Sequence, residues 1–302
     1  MGAQLKLLEQ LSGESQTVLA TRLGVSFVTF NNWRNGKVVP RKGAEIRIAK
    51  LLMTYGVSIE RDVTTLDIKK TLIRSRQKSE MKLLLRLTKR SDLLDELSLH
   101  MTYNSNAIEG SMLSLGDTAK IILHGETILR KTVVEQLEAM NHDKALRFIV
   151  RELSFGHHIT ESLLCEAHRM LMAGIRDDAG QYRTHPVRIV GTFVPTANHL
   201  RVPELTRALL TKKVSADEIG FVSQFHADFE KIHPFSDGNG RVGRLVLLAQ
   251  LLSLNIAPAL ISKKKGTAYY KALQLAQLKD DYTSLVEYIC DAILDGYHLF
   301  EE

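Results

Sequence analysis

The sequence predicts an all-α protein with two helical domains and one small β-hairpin. Most segments of the 302-residue chain place apolar residues three and four positions apart, as amphipathic helices do. Alternating, strand-like residues between two turn signals occur clearly at residues 186–195. A chain of this length commonly divides its core between domains, so we expect more than one.

Charge is distributed unevenly along the chain. Residues 1–90 hold 18 Lys and Arg against 7 Asp and Glu, an excess of 11 positive charges, so the remainder must carry −5 to give the net +6. The basic part favours an anionic partner. Two cysteines are too few for a disulfide framework or a zinc site. The sequence shows no leader and no membrane-spanning run, so we expect a cytoplasmic protein without a membrane partner.

The first helices expected are residues 16–23 and 27–33. Gly24 and Val25 form the turn between them, Ser26 is a suitable N-cap, and the pair Asn35-Gly36 ends the second helix. A helix, a glycine turn and a second helix have the spacing of a helix-turn-helix, whose second helix lies in the DNA major groove.

Residues 4–55 resemble the repressor-type helix-turn-helix family. The resemblance is carried by Gln16, Leu19, Ala20, Leu23, Gly24, Val25, Ser26, Trp33, Gly36 and Pro40. It implies a domain at residues 1–56 that binds DNA as a dimer. The second helix would then face DNA with Thr29, Asn31, Asn32 and Arg34, whose side chains suit base edges. A helical bundle that contacts only other proteins is the alternative.

Residues 57–92 are predicted as a charged helical linker, and a second domain is expected at residues 93–302. Its helices are expected at residues 92–105, 115–123, 132–153, 160–172, 216–232, 241–254, 268–278 and 281–294. The hairpin at residues 186–195 is bounded by a proline at each end, with Val187, Ile189, Gly191 and Phe193 alternating between them.

A loop between two of these helices, His233-Pro-Phe-Ser-Asp-Gly-Asn-Gly-Arg-Val-Gly-Arg244, carries the clearest chemistry. Gly238 and Gly240 let the backbone approach a ligand, so the amides of residues 238–241 can converge on an anion where the next helix begins. A diphosphate or triphosphate fits such a site. Because the loop joins two helices, it is not a P-loop, which follows a strand.

Side chains of the same loop could activate the bound nucleotide. Asp237 is placed to hold Mg²⁺ against phosphates, and Arg241 and Arg244 lie three residues apart on one face of the helix. His233 can act as a general base near neutral pH. The alternative is a capped helix-loop-helix with surface arginines and a buried histidine.

The loop resembles the signature motif of the Fic family at every defining position, and the resemblance extends over residues 93–295. It implies a helical domain that transfers AMP from ATP to a Ser, Thr or Tyr hydroxyl of a protein and releases pyrophosphate. His233 would be the base, Asp237 the Mg²⁺ ligand, and Gly238, Asn239, Gly240 and Arg241 the anion hole, with Arg244 beside them. Related Doc-type kinases usually carry lysine in place of Gly240, so adenylylation is favoured over phosphorylation.

The resemblance also implies residues around the nucleotide and the target. The hairpin would be a flap that aligns an extended target segment by strand addition. The flap residues assigned to the nucleotide site are Val187, Ile189, Val190 and Gly191. Tyr269 and Tyr270 would border the adenine, and Gln277 would take a place where relatives often have asparagine.

A second motif, residues 105–110, resembles the inhibitory signature of Fic proteins. Ser105, Glu109 and Gly110 are its defining residues. Glu109 could pair with Arg244, occupying the fork that should hold the γ-phosphate. The alternative is an ordinary carboxylate at a helix end. Three further functions stay open: a DNA-binding regulator whose Fic domain senses nucleotide or modifies its own chain, an enzyme that mainly removes AMP, and a toxin-like growth inhibitor. A homodimer is expected.

Overall fold

The computed structural model describes residues 2–55, 65–79, 82–189 and 191–301, which fall into two compact units, Met1–Lys78 and Ser79–Glu302. The division lies inside the predicted linker. The described residues form α-helices, short 3₁₀ turns and loops, without a strand. None of the described helices is long and apolar enough to cross a membrane.

The described part of the first unit is built from five helices, and serine caps set the starts of the second and third. The side chain of Ser15 accepts a hydrogen bond from the amide of Val18, and Ser26 accepts one from Thr29. The helices are α1 (Gly2–Ser12), α2 (Gln16–Arg22), α3 (Phe27–Arg34), α4 (Lys42–Met53) and α5 (Thr65–Ser79). Their apolar faces bury a core that includes Leu5, Leu8, Leu19, Phe30, Ile48 and Leu52.

The second unit is packed around two central helices, Val133–Ser154 and Asn239–Ser253. Its helices are α6 (Leu83–Lys89), α7 (Ser91–Ile108), α8 (Leu115–His124), α9 (Val133–Ser154), α10 (Glu161–Leu171), α11 (Val202–Leu210), α12 (Glu218–Ile232), α13 (Asn239–Ser253), α14 (Gly266–Lys279) and α15 (Thr283–Tyr297). Helix α9 packs against α6, α7, α8, α10 and α13. Helix α13 buries residues on all its faces, so its N-terminal turn is held rigidly inside the unit.

Helix α6 lies within the predicted linker but belongs to the second unit. The amide of Leu83 donates to Asn255 Oδ1 at 2.8 Å, and Arg86 Nη2 donates to the carbonyl of Phe300 at 2.8 Å. These bonds join α6 to residues more than 170 positions away, a pairing that local composition does not reveal.

The predicted β-hairpin was wrong for the described residues: no strand pairing occurs between residues 186 and 195, and Val190 lies outside them. The segment still folds back on itself. Thr196 Oγ1 donates to the carbonyl of Val187 at 2.7 Å, and the amide of Val194 donates to Thr192 Oγ1 at 3.2 Å. Side chains therefore take the place of the backbone ladder. We call residues 187–196 the flap.

Candidate active site

The loop at residues 233–238 joins α12 to α13 and is closed by its own side chains. His233 ends α12 in a left-handed conformation with φ 54°, and Pro234 cannot continue a helix. Asn239 is buried, and its side-chain amide donates to the carbonyl of Phe235 at 2.9 Å and accepts from the amide of Phe235 at 2.8 Å. The Asn239 side chain thus clamps the loop, and only its backbone amide can serve an anion.

His233 is held in the tautomer that a general base requires. Its Nδ1 lies 3.1 Å from the carbonyl oxygen of Glu230. Because a carbonyl oxygen only accepts, the ring proton lies on Nδ1 and Nε2 keeps its lone pair. Burial lowers the pKa of His233, and the positive charge of Arg183 lowers it further. The imidazole is therefore neutral near pH 7.

The start of α13 offers open backbone donors. Helix α13 has no side-chain cap, so the amides of Asn239, Gly240 and Arg241 in its first turn are free for an anion. The amide of Gly238 is already used, since it donates to Asp237 Oδ1 at 2.6 Å. Of the four residues predicted to form the anion hole, Gly238 therefore has its amide engaged, whereas residues 239–241 keep theirs for a ligand.

Arg241 and Arg244 are buried rather than on the surface, and in each of them one nitrogen has no partner within the described chain. Arg241 Nη1 donates to Glu138 Oε1 at 2.6 Å, and Arg244 Nε donates to Ser105 Oγ at 2.8 Å. Among the described residues, Arg241 Nε and Arg244 Nη1 have no hydrogen-bond acceptor. Unpaired buried donors are costly, and an anionic ligand would satisfy them.

Glu109 reaches this site from the end of α7, as the sequence predicted. Arg244 Nη2 donates to Glu109 Oε1 at 2.7 Å. Burial by itself would lower the pKa of Arg244, but the negative charge of Glu109 and the other groups around it raise that pKa above its ordinary value. A Cβ placed on Gly240 would lie 2.4 Å from Glu109 Oε1, so glycine leaves the room that the carboxylate occupies. The next residue, Gly110, has φ +102°, a turn that favours glycine.

Asp237 fits a magnesium ion that is shared with phosphate. Its side chain is 54% exposed, one oxygen accepts from the Gly238 amide, and that oxygen lies 3.8 Å from Arg241 Nη2. The second carboxylate oxygen is available to a ligand. Mg²⁺ is commonly held by one or two carboxylates together with substrate phosphates and water. No cluster of three or more His, Cys, Asp or Glu occurs in the described part of the chain.

The flap is tied at both ends to residues beside His233. Arg183 Nε donates to the carbonyl of His233 at 2.7 Å, and its Nη1 donates to the carbonyl of His185 at 2.9 Å. At the other end the amide of Ala197 donates to the carbonyl of Lys231 at 3.2 Å. Of the predicted flap residues, Val187 and Ile189 are half-buried and Gly191 is exposed.

Two residues predicted to contact the nucleotide are buried in this structure, and their role stays a prediction. Tyr269 is buried, and its hydroxyl lies 2.7 Å from His226 Nε2, so it belongs to the interior between α12 and α14. Gln277 is also buried, and its amide donates to the carbonyl of Ala227 at 3.1 Å. Tyr270, whose ring contacts that of Tyr269, is 44% exposed, and its place beside the adenine stays a prediction.

Sequence reasoning missed three residues of the site: Glu138, Glu230 and His168. Glu138 pairs with Arg241. The carboxyl of Glu230 is buried, and burial raises its pKa to about 8. His168 is hydrogen-bonded to Asp237, and burial lowers its pKa to about 4. Glu138 and His168 lie on α9 and α10, far from the loop in sequence, so no local signal connects them to it.

The predicted DNA-facing residues of α3 are mostly engaged within their own unit. Arg34 Nε donates to Glu9 Oε1 at 2.8 Å, which argues against Arg34 as a base reader. Thr29 Oγ1 lies 2.9 Å from Ser26 Oγ, and Asn31 Oδ1 accepts from Asn35 Nδ2. Helices α2 and α3 lie where predicted, whereas their assignment as a DNA-binding helix-turn-helix stays a prediction.

Comparison with known proteins gives a family match for the part of the chain that contains the loop. Residues 158–251 match the model of the Fic/DOC family. Over 185 residues the chain is 33% identical to the protein adenylyltransferase fic-1 of Caenorhabditis briggsae. The aligned region covers 59% of this chain and 36% of that protein. The chain thus spans little more than a third of the length of this curated relative.

Solved structures share the fold. Fic-1 from Caenorhabditis elegans superposes with a TM-score of 0.62 at 21% identity, covering 96% of this chain and 97% of that one. A Fic family protein from Desulfovibrio desulfuricans G20 gives a TM-score of 0.62 at 25% identity, covering 80% of this chain and 74% of that one.

Proposed function

Residues 158–251 form a domain of the Fic/DOC family, and on that premise we propose that the protein transfers AMP from ATP to a Ser, Thr or Tyr hydroxyl of a target protein. One observation carries the proposal. His233, with its unprotonated Nε2, lies in a loop that leads directly into a helix terminus without a side-chain cap. At that terminus two buried arginines hold donors that find no acceptor in the part of the chain that the structure describes. A base, an anion hole and a carboxylate for Mg²⁺ are thus combined in one loop.

In the proposed reaction the target hydroxyl oxygen attacks the α-phosphorus of ATP. His233 Nε2 takes the hydroxyl proton, the bond from the α-phosphorus to the oxygen that bridges to the β-phosphorus breaks, and pyrophosphate leaves. The amides of residues 239–241 and the free donors of Arg241 and Arg244 stabilise the charge on the phosphate oxygens. Mg²⁺ held by Asp237 would neutralise part of that charge.

The flap is suited to positioning the target. It is anchored on both sides of His233 by Arg183 and Ala197, so a segment laid along it passes close to the base. Because the described flap residues form no backbone ladder of their own, their backbone groups can pair with an extended target segment. Gly240 favours adenylylation over phosphorylation, since it keeps the start of α13 open.

Glu109 restrains the enzyme in this proposal. Its carboxylate takes Arg244 Nη2 and lies over Gly240, at the place where the terminal phosphate of ATP would be held. Like charges at that point repel, so ATP can bind only with its phosphates displaced from the position needed for attack.

Replacement of the base tests the chemistry. We expect His233→Ala to abolish AMP incorporation into lysate proteins from α-labelled ATP and Mg²⁺, because no other described group occupies its place. The exposed His124→Ala is the control and should keep full activity. Labelling by His233→Ala at the level of the control variant would rule out His233 as the base.

Removal of Glu109 tests the restraint. We expect Glu109→Gly to raise AMP incorporation at least about tenfold, since a single charge-assisted hydrogen bond to a buried arginine is worth about 1.5–3 kcal/mol. The exposed Glu126→Gly is the control. Equal labelling by wild type and Glu109→Gly would contradict autoinhibition while leaving the transfer activity itself intact.

A further inference from the structure

We propose that His168 is a positioning residue that orients the Asp237 carboxylate toward its metal by holding the peptide group between Asp237 and Gly238. The inference rests on the proposed function, in which Asp237 binds Mg²⁺. His168 lies on α10, outside the loop, and is 69 residues away from Asp237 in sequence.

The two ring nitrogens of His168 have fixed and opposite roles. The amide of Gly180 donates to Nδ1 at 2.8 Å, so Nδ1 is the acceptor. The remaining proton lies on Nε2, which donates to the carbonyl of Asp237 at 3.0 Å. One neutral imidazole thereby connects the turn before the flap to the metal-binding loop.

The bond from His168 reaches the carboxylate through a single rigid peptide group. The carbonyl that His168 holds and the amide of Gly238 belong to the same planar unit, and they point in opposite directions. That amide donates to Asp237 Oδ1 at 2.6 Å. Fixing the carbonyl on one edge therefore fixes the donor on the other edge, and with it the direction of the carboxylate.

Packing around His168 leaves it little freedom. Its ring stacks on Phe235 with centroids 3.7 Å apart and an interplanar angle of 7°, and the side chain is buried. The partner turn is equally constrained, because Gly180 has φ +83° and a Cβ there would lie 2.8 Å from Arg169 Cβ. Met172, just after α10, packs against Gly238: a Cβ on Gly238 would lie 2.8 Å from its sulfur.

Two substitutions separate the two bonds. In His168→Asn the side-chain amide of the new asparagine reaches only as far as the former position of Nδ1. It therefore keeps an acceptor for the Gly180 amide and loses the donor to the Asp237 carbonyl. In His168→Gln the amide nitrogen reaches the position of Nε2 and keeps that donor. The measurement is the Mg²⁺ concentration that half-saturates binding of a fluorescent ATP analogue, in the Glu109→Gly background.

We expect His168→Asn to raise this Mg²⁺ concentration about tenfold, as loss of a ligand's hydrogen-bond partner commonly does. His168→Gln should stay within about twofold of the parent, and binding of the analogue in EDTA should be equal in all three proteins. His124→Asn, an exposed change of the same kind, is the control. An unchanged Mg²⁺ midpoint in His168→Asn overturns the inference, as does an equal loss in both variants.

A measurement on the unsubstituted protein covers the case in which His168→Asn fails to fold. Nitrogen-15 NMR should show the proton of His168 on Nε2, and a proton on Nδ1 would overturn the inference. A parent that binds the analogue without any Mg²⁺ dependence would instead overturn the metal role of Asp237, and the inference with it. AMP transfer by His233 can then still be measured separately.

Discussion

At the scale of single residues, the environment of Arg244 contains two carboxyl groups in different states. Glu109 is partly exposed and forms an ion pair with Arg244. Glu230 is buried, and its Oε1 has no hydrogen-bond partner among the described residues. Burial raises its pKa to about 8; the positive charge of Arg244 opposes this rise, and the smaller effect of the Glu109 charge adds to it. Glu230 is therefore mainly protonated near neutral pH.

This raised pKa predicts how stability depends on pH. The folded protein binds the Glu230 proton more tightly than the unfolded chain, whose glutamate pKa is about 4.3. The contribution of Glu230 to the free energy of unfolding is complete below the unfolded-state pKa. It is lost as pH rises toward the folded-state pKa of about 8, by at most about 1.4 kcal/mol per pH unit. We expect Glu230→Gln to flatten the fall in Tm between pH 5 and 8. Glu126→Gln, an exposed change, should keep the slope, and an equal slope in Glu230→Gln would contradict the assignment.

At the scale of elements, α12 and α13 pack closely because Gly243 has no side chain. A Cβ there would lie 2.3 Å from Glu230 Oε1 and 3.1 Å from Phe229 Cδ1. We expect Gly243→Ala to lower the free energy of unfolding by about 1–3 kcal/mol, as overpacking commonly does. Denaturant titration measures the change.

A control and a rescue make that prediction specific. Gly116 is also in a helix, but its Cβ would meet only Ser114 Oγ at 3.8 Å, so Gly116→Ala should be neutral or stabilising by up to about 1 kcal/mol. Adding Glu230→Ala to Gly243→Ala should cost less than the two single changes together, because the clash is then removed. Strict additivity would show that the helices do not meet at this point.

Elements with a local signal were predictable, and elements that depend on distant partners were not. The helix expected at residues 115–123 is found at Leu115–His124, because Ser114 and Asp117 form a capping box. The flap has the alternation of a hairpin, yet side-chain bonds from Thr196 and Thr192 hold it instead. Helix α6 was placed in the linker because its partners, Asn255 and Phe300, lie near the other end of the chain.

The candidate site shows the same division. His233, Asp237 and Gly240 stand together in one motif, so the sequence alone indicated their chemistry. Two residues that support the loop lie far from it in sequence: His168 is 69 residues from its partner Asp237, and Glu138 is 103 residues from its partner Arg241. A single sequence does not reveal such distant pairs. The burial of Tyr269 is likewise not evident from the sequence, because an aromatic residue near a nucleotide site can equally fill the core.

At the scale of the whole molecule, the N-terminal part of the chain is basic and the remainder is acidic, so we expect the two parts to bind different partners. The excess of positive charge in residues 1–90 favours an anionic partner there, whereas the acidic remainder does not. Helix α3 exposes Phe27 and Val28, which can contact thymine methyl groups or another protein. Of the four residues predicted to face DNA, Asn32 alone makes no side-chain hydrogen bond within the described part of the chain.

We therefore chose Asn32 as the position at which a substitution tests DNA binding. We expect the full chain to retard DNA from the region upstream of its own gene, with an affinity that falls steeply as salt rises, because lysines and arginines displace counterions from phosphate. Asn32→Ala should weaken binding about tenfold, since a bidentate contact to adenine is worth about 1–3 kcal/mol. Gln10→Ala, an exposed change on α1, is the control. Absence of retardation at low salt would contradict DNA binding and would favour the alternative, in which the exposed apolar residues of α3 contact a protein.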